Sequence, residues 1–180
     1  MVKLQEDRMR PTERTVEMAE DRRIRHNFRI RCTFGVLIAL TLAFIWGNSM
    51  QSGAASGEMS GSLKALLDEL LGTQIDEFLL RKAAHFSEYA LLGFECAALL
   101  SLLRDADGRS PAHGRNLFDC PALGLLAAVI DETIQIFSGR GSMVVDVWID
   151  TAGFVTGFFL TIFISRLCRR RTHKERTNHP

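Results

Sequence analysis

Residues 127–159 read "AAVIDETIQIFSGRGSMVVDVWIDTAGFVTGFF". Two adjacent acids, Asp131 and Glu132, sit inside an apolar run, and after a short Gly-Arg-Gly turn Asp146 and Asp150 open the next one. Carboxylates among residues that ask to be kept from water need a structural reason. The distribution of the remaining apolar residues supplies the first part of it.

Hydrophobic residues make up 47% of the 180, and they are gathered into blocks at 32–50, 83–103, 121–137 and 147–167. Each block has the roughly 17–25 residues that a helix needs to cross a hydrocarbon core of about 30 Å. Four buried helices of a soluble bundle are the alternative. Such helices keep a polar outer stripe, and the first and last blocks have almost none. The expected fold is therefore all-α, an integral membrane four-helix bundle over 32–167, with basic tails at 1–31 and 168–180.

The net charge of +1 hides an asymmetry. Lys3, Arg8, Arg10, Arg14, Arg22, Arg23, Arg25, Arg29 and Arg31 precede the first block, Arg166, Arg169, Arg170, Arg171, Lys174 and Arg176 close the last, and Arg104, Arg109 and Arg115 lie between the second and third. By the positive-inside rule both termini are expected in the cytoplasm, with 51–82 and 138–146 facing outward from a cytoplasmic (inner) membrane. Acids interleave the N-terminal basic residues, so topology and attraction to anionic headgroups explain them better than nucleic-acid binding does. The polar tail before the first block argues for an uncleaved anchor rather than a secretory signal. The four cysteines form no CxxC or His/Cys zinc spacing, none lies in an outward loop, and no structural disulfide is expected.

Between the first two blocks, "SLKALLDELLG" sets Leu63, Leu66, Leu67, Leu70 and Leu71 at helical spacing after a Gly/Ser-rich stretch read as flexible. This predicts a short outward amphipathic helix with Ser62 as N-cap and Gly72 as stop, lying on the membrane surface or over the bundle mouth.

With the orientation set, depths can be compared along helices rising about 1.5 Å per residue. Arg81 and Lys82 fall at the headgroups, His85 one turn in, and Glu88 and Tyr89 one turn deeper on the same face. Asp131 and Glu132 lie roughly 8–9 Å below the outer end of the third span, with Gln135 a turn above Asp131. Asp146 is interfacial and Asp150 a turn in. These acids share one depth and can share one cavity. A charge at membrane depth costs at least about 2.5–3.5 kcal/mol, and pairing with His85, Arg81, Lys82 or Arg140 would lower that. The alternative is a polar knot that only ties helices together, through bonds worth about 0.6–2 kcal/mol each. Glu95 stands apart near mid-membrane. Gly153 and Gly157 form a small-xxx-small pair suited to close helix packing.

At these residues the sequence resembles the VanZ-like family of small bacterial membrane proteins. The resemblance runs through "RKAAHFSEYALLGF" (Lys82, His85, Tyr89), "DETIQIFSGR" (Asp131, Glu132, Gln135, Phe137, Arg140) and "DVWIDTAG" (Asp146, Asp150, Gly153), more weakly through "WGNSMQSG", and covers roughly residues 44–165. The turn before the last stretch departs from the family, reading "SGRGS" where Pro-Gly-Arg is frequent. The resemblance implies a role like that of the family's namesake, which is associated with resistance to the glycopeptide teicoplanin.

The expected site is Lys82, His85, Glu88, Tyr89, Asp131, Glu132, Gln135, Arg140, Asp146 and Asp150. It would suit binding or shielding of a lipid-linked wall precursor or lipoglycopeptide. A membrane enzyme using the carboxylates and His85 for proton transfer is the alternative, although there is no nucleophile motif and no HExxH. A small transporter would need more spans, as in a homo-oligomer. Asp131, Glu132, Asp146 and Asp150 could hold a hard cation, but their spacing is unspecific and assigns no metal; the sequence names no cofactor. The partners expected are membrane lipids and such a precursor or lipoglycopeptide, with no nucleic acid.

Overall fold

The computed structural model describes residues 11–51, 53–72, 74, 76–107, 115–139, 141 and 143–177. Among them are five helices and no strand: α1 Pro11–Ser49, α2 Gly53–Leu71, α3 Glu77–Asp107, α4 Arg115–Phe137 and α5 Val144–Thr177. Four carry segments long and apolar enough to cross a membrane, Val16–Ser49, Glu77–Leu103, Leu117–Phe137 and Val144–Cys168. Large apolar side chains such as Leu40, Phe44, Leu123, Phe159 and Phe163 point out of the bundle. In water this much apolar surface would be an aggregation liability, whereas in lipid it is the contact surface. The chain is a multi-pass membrane protein.

The bundle is built on α3 and α5, which make its most extensive contact, with α1 packed chiefly on α3 and α4 chiefly on α5. The α3–α5 approach is set by glycines. A Cβ at Gly153 would run into the carbonyl of Phe86, one at Gly157 into that of Ala90, and one on α3 at Gly93 into that of Phe154. The small-residue pair thus meets the backbone of α3 directly, as the sequence pattern predicts. Around this seam the core closes with Ile45, Tyr89, Leu92, Ala127, Ala128, Phe154 and Phe158, the two phenylalanine rings stacked with centroids 6.2 Å apart.

The short connections bring helix ends together at one end of the bundle. Asp76 caps α3, its Oδ1 accepting from the Phe78 amide at 2.8 Å, as an N-cap acid does. Gly139, at φ +71, lets the chain turn out of α4.

Helix α2 corrects the sequence reading in two respects. It starts at Gly53, not Ser62, so the stretch read as flexible is largely helical. Ser62 is not an N-cap; it is a mid-helix residue whose hydroxyl donates to the Glu58 carbonyl at 3.0 Å, one turn back. Gly72 does stop the helix, with φ +65 and its amide donating to Asp68 O at 3.0 Å. Leu63, Leu66 and Leu70 are exposed, and the tie to α3 is polar, Ser60 Oγ donating to Glu77 Oε1 at 2.7 Å. Helix α1 also begins well inside the segment read as a tail and continues into the span without a break.

Replacing Gly157 by Leu should lower the thermal unfolding midpoint of the detergent-solubilised protein, by an amount reflecting at least about 1–3 kcal/mol of overpacking. Gly35→Leu, where a side chain would meet nothing within 4 Å, should leave it nearly unchanged. Equal midpoints for the two variants would show that the α3–α5 seam is not the close contact described.

Candidate functional site

Three helix ends and the start of α5 place polar side chains around one centre. From α3, His85 directs Nδ1 between two carboxylates, 3.8 Å from Asp131 Oδ2 on α4 and 3.8 Å from Asp150 Oδ1 on α5. Both aspartates are 0% exposed. One turn before His85, Lys82 pairs with Asp146 at the start of α5 and lies 4.9 Å over the Phe78 ring.

Helix α4 contributes three groups from one and a half turns. The i, i+1, i+4 spacing lets Gln135 fold back over both acids, its Nε2 donating to Asp131 Oδ2 at 3.1 Å and Glu132 Oε1 at 3.0 Å. The other oxygen of Glu132 accepts the Met143 amide at 3.2 Å, tying the α4–α5 turn to the cluster. Buried charge-assisted bonds of this kind are worth roughly twice a neutral one, which is how a carboxylate 5% exposed can be carried here.

Tyr89 is fully buried, and its hydroxyl has no hydrogen-bond partner among the described residues. Glu88 turns toward α1, where Asn48 Nδ2 approaches its Oε1 at 3.5 Å. Arg140 lies outside the described residues. Of the ten expected residues, the other nine stand at this end of the bundle.

The C-terminus of α1 belongs to the same network, and the site expected from sequence omitted it. Ser49 is 0% exposed; its Oγ stands 3.5 Å from Gln135 Nε2 and its carbonyl accepts Ser138 Oγ at 2.8 Å. The available signal was "GNS" at the end of an otherwise apolar span. Glu95 is separate, deeper in the bundle, where Thr41 Oγ1 donates to its Oε1 at 3.0 Å.

A cavity of about 240 Å³ opens onto the cluster, lined by Phe78, Arg81, Lys82, His85, Gln135, Gly141, Met143 and Asp146. It is smaller than the roughly 300–1,000 Å³ of sites that enclose a drug-sized molecule. Its size suits a small polar group, and its lining sets two cations, Arg81 and Lys82, beside His85 and Gln135.

The VanZ/LLP1 family model matches residues 33–165, which include all of these positions. The chain belongs to the VanZ/LLP1 family. Lys82, His85, Tyr89, Asp131, Glu132, Gln135, Asp146 and Asp150, through which the sequence resembles the VanZ-like proteins, are thus gathered by its helices at one end. No curated protein and no solved structure matches the chain.

Gln135→Leu removes the donor shared by Asp131 and Glu132, and should destabilise this VanZ/LLP1 protein by on the order of 1–3 kcal/mol. Thr156→Val, which removes an exposed hydroxyl bonded only within its own helix, should change little. Thermal unfolding in detergent compares the two, and an unperturbed Gln135→Leu would show that the amide does not hold the acids.

Proposed function

We propose that this VanZ/LLP1 protein acts at the outer leaflet of the bacterial cytoplasmic membrane, where its polar site holds the headgroup of a lipid-linked wall precursor or a lipoglycopeptide. The observation that carries this reading is the cavity lined together by Arg81, Lys82, His85 and Gln135. Its dimensions admit one small polar or anionic group of such a headgroup, while the apolar remainder of the amphiphile stays in lipid. The exposed leucines of α2 beside this end would rest in the same interface.

Both termini in the cytoplasm follow from the basic residues at the far ends of α1 and α5. A cysteine substituted for Ser138 should then react with a membrane-impermeant maleimide added to intact cells, and the native Cys168 should react only after permeabilisation. The opposite pattern would invert the topology and remove the site from the outer face.

Function is tested by teicoplanin susceptibility of a bacterial host expressing the wild type beside matched-level Asp131→Asn and Glu132→Gln variants. Protection by the wild type and its loss in the variants is the expected result. Equal protection by all three, at equal membrane levels, would reduce the cluster to a packing knot.

A second reading, catalysis on the same lipid-linked ligand, is favoured by the imidazole between two buried carboxylates, an arrangement fit for proton transfer. Chemical change of the ligand on incubation with purified protein would distinguish it from binding alone.

A further inference from the structure

His85, Asp131 and Asp150 bring one imidazole nitrogen and two carboxylate oxygens, from three different helices, within 4.8 Å of one another. We propose that these three side chains form a site for a single divalent first-row transition cation of the Zn²⁺ or Mn²⁺ type.

The first argument is spacing. Nδ1 of His85 is 3.8 Å from an oxygen of each aspartate, too far for a hydrogen bond and too near for an intervening water to bridge comfortably. Ligands about 2.0–2.1 Å from a tetrahedral zinc ion lie roughly 3.3–3.4 Å from one another. The two His–Asp sides need a contraction of a few tenths of an ångström to meet one ion, and the carboxylate–carboxylate side, which is within 4.8 Å, closes by rotation of the aspartate side chains.

The second argument is independent of spacing. Asp150 is 0% exposed, and neither of its carboxylate oxygens has a hydrogen-bond partner among the described residues. A carboxylate stripped of water without compensation is among the costliest groups a protein can bury. A protonated carboxyl would lower that cost, but its hydroxyl would then need an acceptor. One imidazolium cannot neutralise both Asp131 and Asp150, and Lys82 is engaged by Asp146. A dication at the centre of the triangle neutralises both aspartates and fills the coordination of Asp150.

The donor set narrows the ion. Imidazole favours zinc, iron, copper and nickel, carboxylates favour manganese, magnesium and calcium, and a mixed shell points to zinc or manganese. Three protein ligands, of which His85 also lines the cavity, leave a coordination position for water or an incoming oxygen, the pattern of an open site rather than a closed structural one. Gln135 supplies an outer contact, its bond to Asp131 Oδ2 orienting that carboxylate as second-sphere partners of metal ligands do.

The test needs no knowledge of the organic ligand. Purified full-length protein in detergent is stripped with a chelator and titrated with ZnCl₂ and with MnCl₂ by calorimetry, and retained metal is measured by mass spectrometry after desalting. One equivalent of one of the two ions should bind saturably, with X-ray absorption showing a mixed nitrogen and oxygen shell. Binding should weaken at least tenfold in Asp150→Asn and in His85→Gln, and stay within a fewfold of wild type in Glu95→Gln, a buried acid outside the cluster. Absence of saturable binding of either ion by the wild type would overturn the proposal whatever the variants do. Unchanged binding in Asp150→Asn and His85→Gln, with thermal unfolding showing both folded, would overturn it as well.

Discussion

The close approach of α3 and α5 is the constraint on which the rest of the bundle depends. At Gly93, Gly153 and Gly157 there is no room for a side chain between one helix and the carbonyls of the other, so the two backbones are in contact. In lipid, where burial of apolar surface gives no net drive between helices, such packing is what remains to hold them. A contact made by backbone also fixes axial register more firmly than flexible side chains would. A slip of one helical turn, about 5.4 Å, would carry His85 away from Asp150.

The polar cluster inherits its geometry from that seam. Its members come from four helices, yet each is held by a different device: Lys82 by an ion pair with Asp146, Glu132 by an amide and a side-chain donor, Ser49 by the far end of α4. Interhelical bonds in membranes are individually modest. Here Gln135 joins Ser49 of α1 to Asp131 and Glu132 of α4, and a connected network specifies one arrangement of helix ends better than separate pairs do.

Much of this could be read from the sequence because membrane depth is a one-dimensional coordinate. Counting residues from a span's end places Asp131, Asp150 and His85 at one level before anything is known of packing, and Gly153 with Gly157 identifies the face of the last helix that meets a neighbour. What counting cannot supply is the azimuth around each helix. It could not say that Glu88 turns to Asn48 while His85, one turn earlier, faces the aspartates. Nor could it decide the start of α2. Its Gly/Ser-rich opening has weak intrinsic helix preference, and only its junction with α3, made through Ser60 and Glu77, adds a tertiary reason for order there.

The length of α1 carries a consequence for how the molecule sits. Its 39 residues extend roughly 58 Å, against about 30 Å of hydrocarbon, and its site end is level with the other helices, so the surplus projects entirely from the opposite face. Along that projecting rod the charges are sorted by distance. Arg22, Arg23, Arg25, Arg29 and Arg31 occupy a band of roughly 14 Å nearest the bilayer, while Glu17, Glu20 and Asp21 stand at its outer edge, Asp21 paired with Arg25 at 3.1 Å. A tail that reads as a mixture of signs in one dimension is, as a helix, an axial gradient, positive through the headgroup zone and negative from its outer edge onward. Such a gradient opposes movement along the membrane normal in either direction, and α1 thereby serves as a depth gauge for a site at the other end of the bundle.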